Sequence, residues 1–221
     1  MKKAIVFVDA NNWYHNIKGW FIPSDIDICK VVELISKKKN LKILEIRWYA
    51  SVPDIEDDKL KYMRHMDFLA SLRKRNVKVI TRKLQKLSNK ELLKKRQEFI
   101  KSWDLCEVCK PIVEASFLDI ADHYQKEKGI DVWIAVDMVK KVINNKIDCA
   151  ILISGDADFV PAFDLIQNLK KEVLSCFVPR GYSNEIRQKF PYIILNKEEL
   201  KKCLNDRKLK EDKNAENNNS Y

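Results

Sequence analysis

Glycine is scarce in this chain, with four in 221 residues: Gly19, Gly129, Gly155 and Gly181. With so few, each is expected where the backbone needs a bend that a side chain would obstruct. Gly129 stands two residues before Asp131, and Gly155 immediately before Asp156, so two of the four bends carry an aspartate. Long apolar runs are also missing. None approaches the ~20 residues of a membrane span, so no membrane partner is expected. The start, MKKAIVFVDANNW, has only a short apolar run, which meets an aspartate. That is no secretory signal, and the expected location is the cytoplasm. The six cysteines do not form a secreted disulfide framework. Four of them, Cys29, Cys149, Cys176 and Cys203, fall in segments read as core. Cys106-x-x-Cys109 has the spacing of half a zinc site, but no second pair exists. A structural Zn²⁺ would need His123 or a partner chain, and inert thiols are the expectation.

What is present describes a globular chain of one or two domains, 46% hydrophobic and 33% charged. The net charge of +10 favours a polyanionic partner, of which nucleic acid is the simplest. Lys-rich surfaces also serve plain solubility, so charge alone does not decide.

The pattern alternates short apolar runs with helical stripes. KAIVFV (3–8) reads as a central strand ending at Asp9. A short helix follows over 13–20, and another capped by Ser24 or Asp25 runs to about residue 39. Strands are expected at 41–50, 77–81, 150–153, 172–178 and, as a short edge, 192–195. Helices are expected at 55–75, 89–102, 131–144, 158–170, 184–190 and 197–204, and 114–128 reads either as a further helix or as an irregular excursion. Trp48 and Trp103 are read as packed residues. Strands alternating with helices predict an α/β fold, a mostly parallel sheet with helices on both faces. Residues 82–128 read as an insertion or irregular basic segment within one domain spanning 1–204. Its helix carries Lys90, Lys94, Lys95, Arg96 and Lys101, either a solvated face or one that lies along RNA. Residues 205–221 read as a disordered polar tail.

CAILISGDADFVPA (149–162) holds the chemistry. A buried strand ends at Ser154-Gly155, and Asp156 and Asp158 stand where a helix begins. In open α/β sheets that carboxyl-end edge is where ligands bind. Asp9 ends the first strand in the same way. If the two strands are neighbours, Asp9, Asp156 and Asp158 converge, and Asp131 joins them from its helix start. Clustered carboxylates repel unless protonated or neutralised by a divalent cation, and hard oxygen donors suit Mg²⁺ or Mn²⁺, as one ion or two. Asp131 and Asp158 taken singly are ordinary helix-cap candidates. Asp9 and Asp156 are harder to dismiss, because a strand end needs no carboxylate. Asp137 lies ~120° around the helix from Asp131, facing either the site or solvent. Asn12 is a cap or an orienting partner for Asp9. Such a pocket within a basic surface suits hydrolysis of a phosphodiester.

The blocks VFVDANNWYHNI, KGIDVWIAVDMV and ILISGDADFVPAFDLIQNLKKEV, in this order, resemble the signature blocks of the NYN domain family. The nearest likeness is to its LabA-like branch, related to PIN-domain nucleases. SNEIRQKFPYIILNKEEL resembles that family's C-terminal segment. The resemblance covers about 3–204, with 82–128 the poorly matching part. It implies a PIN-like three-layer α/β/α sandwich, an acidic site for Mg²⁺ or Mn²⁺ and ribonuclease activity on RNA. By position it assigns Asp9 with Asn12, Asp131 with Asp137, and Asp156 with Asp158. Ala10 replaces the glycine usual after the first aspartate. Arg180, Arg187 and Lys189 are the basic residues offered to the phosphate backbone. The rival readings are a non-catalytic RNA-binding or regulatory module, and a phosphatase or glycosyltransferase suggested by the D-x-D of Asp156 and Asp158. A dehalogenase-type phosphatase would carry its D-x-D after the first strand, where this chain reads Asp9-Ala10-Asn11.

Overall fold

The computed structural model describes residues 1–56, 58–83, 85–86, 90–122, 125–126, 129–144, 146–206 and 208. In chain order, β1 (Lys2–Asp9) runs directly into α1 (Ala10–Ile17), followed by α2 (Ile28–Lys39), β2 (Leu41–Val52), α3 (Lys59–Lys74) and β3 (Lys78–Lys83). Next come β4 (Gln85–Lys86), α4 (Lys90–Lys101), α5 (Cys109–Asp122) and β5 (Gln125–Lys126). The remainder is α6 (Ile130–Ile143), β6 (Cys149–Ile153), α7 (Val160–Asn168), β7 (Glu172–Phe177), α8 (Asn184–Lys189), β8 (Tyr192–Ile194) and α9 (Lys197–Lys201).

Six strands form one sheet in the order β3-β2-β1-β6-β7-β8. β1 pairs in parallel with β2 and with β6, β6 with β7, and β7 with β8. The apolar runs explain this. β6 is buried along its whole length and β1 from Ala4 onward, as strands covered on both faces are. Alternate residues then feed two cores. Ala4, Val6 and Val8 point into one, with Trp13, Ile35 and Leu69 from α1, α2 and α3. Ile5 and Phe7 point into the other, with Ile134, Phe163 and Ile186 from α6, α7 and α8. The result is the expected α/β/α sandwich. The chain winds outward from β1 to β3 on one side, then crosses to β6 and winds outward to β8. The boundary between β1 and β6 is therefore the switch point of the sheet, the place where open α/β sheets bind ligands at their strands' carboxyl ends.

Residues Lys83–Lys128 form a compact unit of their own. Within it β4 and β5 pair antiparallel, and α4 packs against α5. Trp48 is buried against Phe68 as expected, but Trp103 is 41% exposed and meets Phe99 edge-on at 5.1 Å. It follows the last residue of α4 by two positions.

Helix starts differ from the sequence reading where several polar residues compete. Pro23–Asp25 is a single 3₁₀ turn, and α2 is capped by Asp27, whose carboxylate accepts the Cys29 amide at 2.9 Å. α3 begins only after Asp58, and α5 begins at Cys109, ahead of the expected 114. The expected tail over 205–221 lies almost wholly outside the described residues, as does His123.

Candidate functional site

The parallel pairing of β1 with β6 brings Val8 opposite Ile153, so Asp9 lies beside Ser154 one step further on. On the other side Asp9 is in register with Tyr49 of β2. Tyr49, Asp9 and Ser154 thus form a row across the carboxyl edge of the sheet, exposed by 0%, 3% and 1%. A buried aspartate in such a row must have its oxygens satisfied. Oδ1 of Asp9 accepts the Asn11 and Asn12 amides, each at 3.1 Å, and Oδ2 accepts the Ser154 hydroxyl at 3.2 Å. Asp9 therefore caps α1. A strand end here does use its carboxylate, because the helix begins in the very next residue.

Ser154 also links the two acids. Its Oγ accepts the Asp156 amide at 3.2 Å while its hydroxyl faces Asp9, and its carbonyl accepts the Ser175 hydroxyl at 2.7 Å. Asp156 is half-buried and caps a 3₁₀ turn over Ala157–Phe159, accepting the Asp158 amide at 3.1 Å. Asp158 is exposed, and it is not the cap of α7, which starts at Val160 with Pro161 in its first turn. Nor does Asp131 cap α6. The cap position is Gly129, in the left-handed region at φ 79°, and Asp131 is half-buried in the first turn. The capping roles are thus the reverse of those the sequence suggested: Asp9 and Asp156 cap, Asp131 and Asp158 do not.

Gly155 packs the β6 edge against the loop after β7. A Cβ there would lie 2.1 Å from the Gly181 carbonyl oxygen and 2.5 Å from Tyr182 Cα. The Ser183 amide donates to the Gly155 carbonyl at 2.7 Å, and Gly155 bridges Tyr182 in parallel. Gly181 in turn lies against Asn16, whose amide donates to Asn12 Oδ1 at 2.8 Å. Asn16 thus sets α1 against this loop, Asn12 holds the Asn16 side chain, and the Asn12 backbone amide reaches Asp9.

Asp137 faces inward. Its carboxylate accepts the Tyr49 hydroxyl and pairs with Arg47 Nη2 at 2.6 Å. Arg47, 5% exposed, also bonds Tyr49 Oη at 3.0 Å and Glu45 at 2.6 Å. Burial is the largest influence raising the Tyr49 phenol above its ordinary pKa, with the Asp137 carboxylate next. This network lies under α6 and ties it to β2. Sequence reading missed Arg47, Tyr49 and Ser154. The serine did have a signal, its place between a buried strand and an aspartate.

The basic residues divide. Lys189 is engaged by Glu185 at 2.7 Å. Arg187 is held by neutral groups, donating to the Tyr182 hydroxyl at 3.1 Å with its guanidinium 5.6 Å from that ring's centroid. Arg180 is exposed in the loop after β7.

Among the described residues, no three His, Cys, Asp or Glu side chains stand close enough together to hold a metal ion. The four aspartates are therefore not gathered into one ready cage, and what the structure joins is Asp9 with Asp156 through Ser154. That donor set still suits a hard cation, since Mg²⁺ is commonly held by one or two carboxylates, with water and substrate phosphate as the other ligands.

A family model for the NYN domain matches residues 3–196. Curated proteins yield no match. The family match covers most of the chain, which belongs to the NYN domain family, a family of PIN-like nucleases that act on RNA.

Proposed function

We propose that this NYN domain is a Mg²⁺- or Mn²⁺-dependent ribonuclease, hydrolysing RNA phosphodiesters at the carboxyl edge shared by β1 and β6. The observation that carries the reading is the placement of Asp9 and Asp156 at the switch point of the sheet, joined by one serine. In this reading Asp9 and Asp156 hold the cation, and Asp131 and Asp158 complete the acidic set. Bound there, a divalent cation lowers the pKa of a water molecule and neutralises charge on the phosphate. Ser154 and the first amides of α1 keep Asp9 fixed in one orientation. Asp137 acts at a distance, holding α6 and hence Asp131 through Arg47 and Tyr49. Arg180 and Arg187 take the RNA backbone, and Lys189 is the weaker candidate because Glu185 already pairs with it. The order of the signature blocks favours the LabA-like branch. We read the chain outside Lys83–Lys128 as one catalytic domain into which that basic unit is inserted.

A non-catalytic RNA-binding module is the second reading, favoured by the lack of a preassembled three-ligand set among the described residues. Cleavage of labelled single-stranded and structured RNA, with Mg²⁺, Mn²⁺ or EDTA, separates the two. The proposal expects cleavage only with metal, lowered about 100-fold or more by Asp9→Asn and by Asp156→Asn. Binding without cleavage under either metal would establish the binding module instead.

A further inference from the structure

We propose that Cys106 and Cys109 form a reversible intrachain disulfide, a redox-modified site in the unit Lys83–Lys128. The six cysteines are all free, and they fall into two kinds. Cys149, Cys176 and Cys203 are buried and Cys29 is half-buried, whereas Cys106 and Cys109 are both exposed. Burial pushes the first group away from reactivity, with the Cys149 thiol raised to about 12. The exposed pair is in a different setting. The chain turns through Glu107 and Val108 into α5, and the Lys110 amide closes on the Cys106 carbonyl at 3.0 Å. Such a turn brings residues three apart to a Cα separation of under ~7 Å. A disulfide spans up to ~6.8 Å between Cα atoms. The Cys109 amide already donates to Cys106 Sγ at 3.3 Å.

The two sulfurs have different roles. The hydrogen bond from the Cys109 thiol, aided by the Cys109 and Val108 amides, draws the Cys106 thiol below its ordinary pKa. The same bond raises Cys109. Cys106 is thus the nucleophile and Cys109 the resolving thiol. With a low-molecular-weight disulfide as oxidant, the Cys106 thiolate attacks one oxidant sulfur, and the other sulfur leaves as a thiolate. Cys109 then loses its proton and attacks Cys106 Sγ, expelling the second thiolate. One oxidant disulfide is reduced to two thiols, and the protein dithiol gives up two electrons and two protons.

The test uses the full chain equilibrated with graded ratios of reduced to oxidised glutathione, then alkylated under denaturing conditions and mapped by mass spectrometry. The proposal expects Cys106 and Cys109 to lose alkylation together, within one chain, at ratios where the other four cysteines remain fully alkylated. Cys109→Ser should accumulate a mixed disulfide at Cys106, and Cys106→Ser should react at least tenfold more slowly. The inference is overturned if the wild-type pair stays alkylatable in oxidised glutathione alone, if the bridge joins two chains, or if Cys106→Ser reacts as fast as Cys109→Ser. RNA cleavage plays no part in this readout, so the result is independent of the proposed nuclease activity.

Discussion

At the scale of single residues, the site is legible where sequence position alone forces a question. An aspartate at or just after the end of a buried apolar strand stands out, and Asp9 and Asp156 both lie at the shared carboxyl edge of β1 and β6, each also capping the turn that follows it. Arg47 shows the limit. In LKILEIRWYA, the polar residues Glu45, Arg47 and Tyr49 alternate with apolar neighbours, a pattern that commonly marks the solvent face of a strand. That face instead lies under α6, where Asp137 meets Arg47 at 2.6 Å. No local pattern announces a partner ninety residues away in sequence. The arrangement has an energetic consequence. Removing Arg47 takes the paired cation from Asp137, whose side chain is 13% exposed, while Glu45 keeps Lys78 and Lys141 at 3.8 and 3.7 Å. Breaking a buried pair from one side costs roughly 3–5 kcal/mol. Arg47→Met should therefore lower unfolding stability by about 3 kcal/mol in urea titration. Adding Asp137→Asn to that variant should recover part of the loss, since it removes the stranded charge. If Arg47→Met unfolds like the wild type, the network contributes nothing to stability.

At the scale of elements, strands were easier to read than helix starts. KAIVFV and AILI are apolar and bounded by turn residues, and both are central strands. Helix caps depend on where the backbone bends, and Ser24, Asp25 and Asp27 were all chemically suited to cap α2. Only the fold selects Asp27, through its 2.9 Å bond to the Cys29 amide. Gly155 was singled out by scarcity, and its reason is now physical: backbone atoms occupy the space a side chain would need. Gly155→Ala must separate the β6 and β7 loops, at about 1–3 kcal/mol of overpacking, and shift Asp156 with them. We expect RNA cleavage to fall more than tenfold while the far-ultraviolet circular dichroism stays native. Gly129→Ala, although strained at φ 79°, meets only the movable end of Arg82 and should be milder. α3 supplies a pH dependence. Burial, then Lys61, lowers the His65 pKa, and its Nε2 is buried without a hydrogen-bond partner. Above the unfolded value of about 6.5 the ring is neutral in both states and its contribution is complete. As pH falls below that value the unfolded chain takes up the proton first, and stability is lost down to the folded pKa. Urea midpoints measured from pH 7.5 to 5 should fall less steeply in His65→Gln than in the wild type.

At the scale of the whole molecule, alternating strands and helices were enough to give a parallel α/β sandwich, but not the order of its strands. That order, β3-β2-β1-β6-β7-β8, is what places β1 beside β6 and gives the two aspartates a common edge. Residues Lys83–Lys128 interrupt the pattern in the sequence and form a compact unit, but the internal structure of that unit was not legible, because a two-stranded ribbon of two-residue strands leaves no periodicity to read. The net charge of +10 fits a polyanion as substrate, while the edge that would cut it is acidic. The central claim is that Asp9 and Asp156 together hold a divalent cation. Diffraction from crystals soaked in Mn²⁺, recorded at a wavelength where manganese scatters anomalously, tests it most directly. The account predicts an anomalous peak about 2.0–2.2 Å from carboxylate oxygens of both residues, absent in Asp9→Asn. A wild-type crystal with no peak there, or with manganese bound only elsewhere, would contradict it.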